Sequence, residues 1–332
     1  MRTIIFYLVL VIASLRTMEL HAQATPMGLC LENYTYPFPV RYVNIYVRGE
    51  QLRMACMNVM PEKPNGHAVL LLHGKNFSGA YWGTTAKALS GQGYRVIIPD
   101  QIGFGKSAKP GNLQYSFQWL AGNTRLILDA MGIDKVIVVG HSMGGMLAAR
   151  FTLMYPDRVE KLVLEDPIGL EDWKLKVPYQ SVSEWYRKEQ LQNYDSIKKY
   201  QQENYYHGTW KPEYDEWVKL QAGWTMSPEY DRIAWNSALQ YDMIFTQPVC
   251  YEFDRIAVPT LLIVGELDRT AVGKNLVSEE VRKTMGQYPE LGRAAQQKIP
   301  HSKLVLLQGV GHAPHIEAFD RFIVPVLEFL KS

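Results

Sequence analysis

The sequence predicts an α/β fold: a mostly parallel central sheet of about eight strands flanked by helices, with an inserted helical cap. Apolar runs of strand length recur along the chain, for example at 135–140 and 261–265, and helical segments separate the early ones. Between residues 167 and 253 this alternation is replaced by helical periodicity without a buried strand pattern. The chain has 332 residues, of which 47% are hydrophobic, and is therefore long enough to bury a large core.

The first 24 residues have the pattern of a secretory signal peptide. Arg2 supplies the positive start, residues 4–13 are mainly apolar, and Ala22-Gln23-Ala24 provides small residues for cleavage near Ala24. The apolar run is short for a bilayer span, and no later run reaches about 18 apolar residues. We therefore expect an exported protein, periplasmic or secreted, without an integral membrane span after cleavage. An uncleaved N-terminal anchor is the alternative.

Two antiparallel strands are predicted at 41–47 and 51–58, where apolar and polar residues alternate. From residue 68 onward the pattern changes to strand–helix alternation, which is typical of a parallel sheet covered on both faces. The predicted strands of this part are 68–73, 94–99, 135–140 and 161–165, and its predicted helices are 80–90, 116–131 and 143–154.

The segment 167–253 holds six of the eight tryptophans and ten of the twenty tyrosines. We interpret it as a helical cap inserted into a core formed by residues 25–166 and 254–332, with large rings supplying its buried area. Its periodicity predicts amphipathic helices at 181–206, 212–222 and 228–245. The later stretch 271–300 is long for a crossover, and we expect it to add a helix or a loop near the strand ends.

A nucleophile turn is predicted at Gly140-His141-Ser142-Met143-Gly144, between an apolar strand and a helix. Asp268 and His312 each follow a later apolar strand. Because ligands bind at the carboxyl ends of strands in open α/β sheets, we expect these three side chains to meet. Serine needs a base to remove its proton, and imidazole titrates near neutral pH. We therefore predict Ser142 as nucleophile, His312 as base and Asp268 as the acid that orients the imidazole.

Neighbouring residues compete for two of these roles. His315 lies three residues after His312, and Glu266 lies two residues before Asp268. His141 adjoins the nucleophile, but we expect it to point into the fold as a structural residue.

These motifs resemble those of the α/β-hydrolase fold superfamily over roughly residues 40–330. The segments that carry the resemblance are Leu72-His73-Gly74, 100–107, 140–145, 265–268 and 311–314. The resemblance implies an oxyanion hole formed by the backbone N–H groups of Lys75 and Met143. It also places Asn76 and Trp82 in the substrate cleft. The Lys75 side chain would favour an anionic substrate if it faced that cleft, the alternative being a solvated lysine.

The resemblance implies an acyl-transfer hydrolase that needs no metal or organic cofactor. Our leading hypothesis is a carboxylic ester hydrolase for a small or medium substrate, in which the cap sets chain-length preference more than chemistry. A proline-type aminopeptidase and a C–C bond hydrolase are the catalytic alternatives. The aminopeptidase would need an acidic group in the cap for the free amine, and the candidates are Glu184, Glu189, Glu203, Glu213 and Asp215. A ligand-binding or receptor protein with slow turnover is the alternative from another class.

Other classes are disfavoured by composition and motifs. The formal net charge is +2, and there is no basic run with interleaved aromatics, no zinc-type Cys/His spacing and no Walker phosphate loop. Residues 103–108 fit an alanine-ended dinucleotide fingerprint, but Lys109-Pro110-Gly111 follows where a helix should begin. We therefore expect a small-molecule substrate and no nucleic-acid partner. Cys30 and Cys56 could pair in an oxidising compartment, and the oligomeric state is not predicted.

Overall fold

A computed structural model of the chain describes residues 24–332, so the predicted signal peptide lies almost wholly outside the described residues. Its sheet has eight strands, in the order β1-β2-β4-β3-β5-β6-β7-β8. The strands are β1 (Val40–Val47), β2 (Glu50–Val59), β3 (Ala68–Leu72), β4 (Arg95–Pro99), β5 (Val136–His141), β6 (Val159–Glu165), β7 (Thr260–Gly265) and β8 (Ser302–Leu307). Strand β2 runs antiparallel to β1 and β4, and the pairs from β4 to β8 are parallel.

Helices connect the strands and cover both faces of the sheet. Those before the insertion are α1 (Gly83–Gly91), α2 (Phe117–Ala130) and α3 (Met143–Met154). Those between β6 and β7 are α4 (Val182–Gln190), α5 (Tyr194–Asn204), α6 (Asp215–Thr225) and α7 (Tyr230–Thr246). The remaining helices are α8 (Glu279–Arg282), α9 (Tyr288–Lys298), α10 (Pro314–Glu317) and α11 (Phe319–Lys331). The predicted fold class is confirmed.

Two hydrophobic cores lie on opposite faces of the sheet. Successive side chains of a strand point to opposite faces, so Leu70 joins one core and Leu71 the other. Helices α2 and α3 pack on the first face, and α1 and α11 pack on the second. The central strand β5 is buried along its whole length, which explains its continuous apolar sequence.

The insertion differs from the sequence prediction at its first helix. One helix was expected at 181–206, but the structure has two, α4 and α5, separated at residues 191–193. The physical reason is a cap at Asn193, whose side chain accepts a hydrogen bond from the Ser196 N–H at 3.0 Å. Ser196 Oγ accepts in return from the Asn193 N–H, which completes a capping box.

Candidate active site

The turn after β5 holds its serine in a strained backbone conformation. Ser142 has φ 56° and ψ −122°, in a region that residues with a side chain rarely adopt. The chain leaves β5 at His141 and enters α3 at Met143, so Ser142 stands alone at the tip of the turn. Its backbone carbonyl accepts hydrogen bonds from the N–H groups of Gly145 and Ile168, which hold the turn in place.

The glycines around this serine are required by close packing. A Cβ on Gly144 would lie 2.2 Å from the carbonyl oxygen of Leu72, and one on Gly140 would lie 2.2 Å from the carbonyl oxygen of Gly144. Both obstacles are backbone atoms, which cannot move aside as a flexible side chain can. The glycines therefore allow the end of β5, helix α3 and the loop after β3 to approach each other.

The structure brings Ser142, His312 and Asp268 into one hydrogen-bonded line. His312 Nε2 lies 2.9 Å from Ser142 Oγ, and His312 Nδ1 lies 2.6 Å from Asp268 Oδ2. A carboxylate only accepts, so the neutral ring carries its proton on Nδ1 and accepts from the serine hydroxyl at Nε2. The side chains of His312 and Asp268 are fully buried, and Ser142 is 6% exposed. This geometry suits proton transfer from the serine during attack on a carbonyl.

Further groups surround the carboxylate of Asp268. Its Oδ1 accepts from the Thr270 N–H at 2.7 Å. Asp166, at the end of β6, accepts from the Gly265 N–H, and burial together with the charge of Asp268 raises the pKa of Asp166 well above its usual value. The raised pKa favours the protonated form of Asp166 beside the carboxyl group of Asp268. Sequence reasoning did not single out Asp166, because its role depends on a neighbour about 100 residues away.

The competing residues have other partners. The Nδ1–H and the backbone N–H of His315 both donate to Glu165 Oε1, at 2.9 and 2.8 Å. Burial lowers the pKa of His315 well below its usual value and raises that of Glu165 to about 7. Glu266 accepts a hydrogen bond from the exposed Gly309 N–H. His315 and Glu266 are therefore engaged away from Ser142.

Two backbone N–H groups point to a place where negative charge could develop. Neither the N–H of Lys75 nor that of Met143 has a hydrogen-bond acceptor within residues 24–332. Met143 is the first residue of α3, where helical N–H groups have no intrahelical partner. A Cβ on Gly74 would lie only 3.0 Å from Ser142 Cβ, so the loop that carries Lys75 packs directly on the serine.

A buried hydrogen-bond chain joins this loop to the loop of His312. The Nε2–H of His141 donates to the carbonyl oxygen of His312 at 2.7 Å. A carbonyl only accepts, so Nδ1 of the neutral ring accepts from the Tyr81 hydroxyl at 2.9 Å. Tyr81 in turn accepts from the Gly74 N–H at 2.8 Å. Burial lowers the pKa of His141 well below its usual value, which keeps the ring neutral in this chain.

The insertion contributes Tyr205, a residue that sequence reasoning missed. Its ring stacks on the His312 imidazole with centroids 5.1 Å apart, and its carbonyl oxygen accepts from the His312 N–H at 2.8 Å. Its hydroxyl accepts from the side-chain amide of Asn76 at 3.1 Å. Tyr205 therefore contacts both the loop of His312 and the loop after β3. The one sequence signal that points to Tyr205 is the enrichment of the insertion in aromatic residues.

The two expected cleft residues differ in position. Asn76 lines a cavity between the insertion and the strand ends. Trp82 does not: its side chain is completely buried, and its ring stacks on His315 with centroids 4.3 Å apart. The expectation that Trp82 faces the cleft is wrong, because the 3-10 turn at Gly79–Trp82 directs it into the core beneath α11.

The Lys75 side chain runs into the same cavity and is only 7% exposed. Its ammonium donates to Ser237 Oγ at 2.7 Å and to Asn76 Oδ1 at 3.2 Å. It also lies 3.6 Å from the ring centroid of Tyr241. Burial lowers the pKa of Lys75 to about 8, because it removes water from the charged form. The expectation of a solvated lysine is therefore wrong.

Three kinds of feature are missing from residues 24–332. No group of three or more His, Cys, Asp or Glu side chains is arranged to hold a metal ion. No helix of this part has both the length and the apolar composition needed to cross a membrane. Cys30, Cys56 and Cys250 are all free thiols, so the pairing left open between Cys30 and Cys56 is not formed here.

The sheet order, the serine turn and the helical insertion define the class of α/β proteins with a nucleophile turn after the fifth strand. A family model described as alpha/beta hydrolase fold matches residues 67–319. The chain belongs to the α/β-hydrolase fold family, as its motifs indicated.

Known proteins similar to this chain include both solved structures and sequences. The structure of a probable hydrolytic enzyme from Pseudomonas aeruginosa PAO1 is 49% identical with a TM-score of 0.92, and the match covers 93% of this chain and all of that chain. Lipase 1 of Psychrobacter immobilis is 29% identical over 265 residues, 77% of this chain and 74% of the lipase. Epoxide hydrolase 2 of Siraitia grosvenorii is 43% identical over 125 residues, 37% of this chain and 38% of that enzyme. The chain thus spans about two fifths of the length of this plant relative.

Proposed function

We propose that the protein is a serine hydrolase that cleaves carboxylic esters of small or medium size. The observation that carries this proposal is the position of the His312 imidazole, 2.9 Å from Ser142 Oγ and 2.6 Å from Asp268 Oδ2. Membership of the α/β-hydrolase family and the similarity to a lipase support the same reaction class.

The first half of the proposed reaction forms an acyl-enzyme. Ser142 Oγ attacks the carbonyl carbon of the ester while its proton passes to Nε2 of His312. The N–H groups of Lys75 and Met143 then donate to the oxyanion of the tetrahedral intermediate; one such donor typically contributes about 3–4 kcal/mol to lowering the barrier. When the intermediate collapses, the bond to the alcohol oxygen breaks and His312 protonates the departing alcohol. Asp268 stabilises the imidazolium that exists between these transfers.

The second half restores the enzyme by the same groups. A water molecule gives a proton to His312 as its oxygen attacks the acyl carbon of the Ser142 ester. Collapse of the second intermediate returns the proton to Ser142 Oγ and releases the carboxylic acid. The buried link through His141 and Tyr81 fixes the loops of the base and of the oxyanion donors with respect to each other throughout.

A serine nucleophile argues against epoxide opening, despite the similarity to an epoxide hydrolase. Attack of Ser142 on an epoxide carbon would leave an ether between enzyme and product. Water does not cleave an ether readily, whereas it cleaves an acyl ester, so turnover would stop after one event.

The proposal is tested with a fluorophosphonate probe and a series of para-nitrophenyl esters of increasing acyl length. We expect covalent labelling at Ser142, found by peptide mass spectrometry, and sustained ester turnover. Ser142→Ala should abolish both while keeping the native circular dichroism spectrum. Ser90→Ala, on the outer helix α1, is the matched serine control and should behave as wild type.

Three outcomes would contradict the ester proposal in different ways. Undiminished labelling of the Ser142→Ala protein would place the nucleophile elsewhere. A labelling burst without continued product release would favour the slow-turnover binding protein. Preference for a prolyl anilide or a C–C substrate would favour the other hydrolases. Of the five acids considered for an amine site, only Glu189 lines the cavity. The prolyl anilide therefore tests one specific residue, Glu189, as the partner of the free amine.

We also propose that the protein is exported, on the strength of its N-terminal pattern. Residues 4–13 provide the apolar segment and Ala22-Gln23-Ala24 the small residues at the cleavage position. The test is the mass of the mature protein after expression of the full chain in a secretion-competent host.

A further inference from the structure

Lys75 is a buried cation without a carboxylate in ion-pair distance: it is only 7% exposed, yet no Asp or Glu oxygen within residues 24–332 lies that close to its ammonium. Buried charges in proteins are normally paired, because removing an unpaired charge from water is costly. The partners present here are the neutral hydroxyl of Ser237, the neutral amide of Asn76 and the face of Tyr241. The ammonium therefore has only neutral groups in direct contact, and the nearby charge of Glu189 acts on it without forming an ion pair.

The position of this cation relates it to the reacting serine. Lys75 follows Gly74, which packs on Ser142, and its side chain extends away from that point toward helix α7 of the insertion. The ammonium thus lies about one lysine side-chain length from the proposed oxyanion site. A substrate group held there would be joined to the scissile carbonyl by a short chain.

The cavity beside the ammonium has room for a small charged group. It has a volume of about 40 Å³, enough for about three water molecules and hence for one carboxylate. Its walls come from the loop after β3, the turn at Gly103 and Phe104, and the helices of the insertion. Such a partly enclosed site strengthens an electrostatic contact relative to water.

We propose that Lys75 binds a carboxylate on the substrate, so that the preferred esters are those whose acyl half carries a second, free carboxylate. This inference rests on the proposed ester hydrolysis and names its substrate class. The carboxylate would take one donor of the lysine ammonium and the donor of the Ser237 hydroxyl. It would supply the direct ion pair that no carboxylate within residues 24–332 makes with the ammonium.

One negative group acts against this binding. Glu189, at the end of α4, lines the same cavity and is half-buried. Because it is partly open to water, its charge is screened more than that of Lys75. A substrate carboxylate next to the ammonium would still be repelled by Glu189 to some degree. The same charge also favours the charged form of Lys75, so removing it would relieve the repulsion but would lower the pKa of the ammonium as well.

A different role for Lys75 is mechanical. Its bonds to Asn76 in the core and Ser237 in the insertion could simply hold the two parts together. This role predicts a loss of stability on substitution but no change in discrimination between charged and neutral substrates. The two roles are therefore distinguished by the ratio of kcat/KM for an anionic ester to kcat/KM for a neutral ester, and not by either value alone.

The experiment compares two para-nitrophenyl esters of equal shape, the monoester of adipic acid and the ester of adipamic acid, which differ in a carboxylate against a carboxamide. We measure kcat/KM for both with wild type, Lys75→Met and Lys75→Arg. Wild type should prefer the anionic ester, and Lys75→Met should lower the anionic-to-neutral ratio by about 10- to 100-fold. Lys75→Arg should keep part of the preference. An equal ratio in wild type and Lys75→Met would overturn the proposal.

A binding measurement tests the carboxylate site independently of the proposed ester hydrolysis. Calorimetric titration of the Ser142→Ala protein with adipate and with adipamide needs no turnover. Adipate should bind about tenfold or more tightly than adipamide, and Lys75→Met on the same background should remove the difference. Equal binding of the two ligands would refute the carboxylate site even if Ser142 proves to be the nucleophile. Selective adipate binding would support it even if ester turnover fails. Thermal melting of each variant identifies any that is unfolded, and Lys75→Gln, which also lacks the charge, then serves in place of Lys75→Met.

Discussion

The hydroxyl of Tyr81 connects two parts of the site that are far apart in sequence. It accepts from the Gly74 N–H and donates to His141, which in turn holds the carbonyl of His312. A phenylalanine at this position leaves a buried N–H and a buried ring nitrogen without partners. The position of the oxyanion loop relative to the base is then no longer fixed by this link.

We therefore expect Tyr81→Phe to reduce both stability and catalysis. The free energy of unfolding should fall by about 1–3 kcal/mol for the buried groups left unpaired. The kcat for a para-nitrophenyl ester should fall by about tenfold or more, because small displacements of catalytic groups are costly. Urea unfolding and steady-state kinetics measure the two effects. Tyr94→Phe removes a hydroxyl that has no hydrogen-bond partner in the described part of the chain and is the control.

Glu165 should make stability depend on pH in a defined direction. Burial raises its pKa to about 7, whereas in the unfolded chain it titrates near 4.5. Between these values the folded state keeps a proton that the unfolded state has lost, so this group reduces stability as the pH rises from about 4.5 to about 7. The buried histidines His141 and His315 act below about pH 6.5, an overlapping range, in the opposite sense, because unfolding lets them take up protons.

Glu165→Gln isolates the contribution of the carboxyl group. The amide cannot lose a proton. The free energy of unfolding of the variant, relative to that of wild type, should therefore rise by up to about 3 kcal/mol as the pH increases from about 4.5 to about 7. The difference should then stay constant at higher pH. Urea unfolding of both proteins at several pH values gives it. Below about pH 6.5 His141 adds a further difference, because the Glu165 charge raises the pKa of that ring and is absent from the variant. A difference that does not change with pH would show that Glu165 ionises normally in the folded protein.

The helical insertion takes part in the site through Tyr205, which follows α5. From the sequence, a cap of this kind was expected to govern chain-length preference more than chemistry. The contacts of Tyr205 with His312 and Asn76 indicate that the insertion also positions the base. Removing the whole insertion would take away the acceptor of the His312 N–H together with the stacked ring.

Tyr205→Ala tests whether the insertion helps to position His312. The backbone carbonyl remains, but the ring and the hydroxyl are lost, so kcat should fall by about 10- to 100-fold even for the shortest ester. Tyr205→Phe keeps the stacked ring and should lose less. Tyr179→Ala, on an exposed position of the insertion, is the matched control and should leave kcat unchanged. If Tyr205→Ala changed only KM and chain-length preference, the insertion would serve selectivity alone.

Sequence patterns predict elements well where burial is continuous and local signals are strong. The buried strand β5 and the turn at Ser142 are both readable from an apolar run followed by spaced glycines. The split between α4 and α5 depends on the cap at Asn193, a single local signal inside a long periodic stretch. The partnership of Asp166 with Asp268, like the stacking of Tyr205 on His312, depends on segments that meet only in the folded chain. Trp82 was misplaced for the same reason, because no pattern indicates which face of a short turn is buried.

The whole chain includes an N-terminal segment that the described part does not cover. If the protein is exported, its mature form should begin near residue 25, after Ala24. Expression of the full chain in a secretion-competent host, followed by intact-mass measurement, gives the mature N-terminus. Ala22→Arg should block cleavage and retain the precursor at the membrane. A protein of unchanged full mass that stays in the cytosol would refute export.

The backbone conformation of Ser142 sets stability against activity at a single position. A side chain at φ 56° costs about 1–3 kcal/mol that glycine would avoid. Ser142→Gly should therefore melt at a higher temperature than the native chain while losing its nucleophile. A directed-evolution campaign that screens only for heat resistance would thus enrich an inert protein, and selection for turnover has to accompany it.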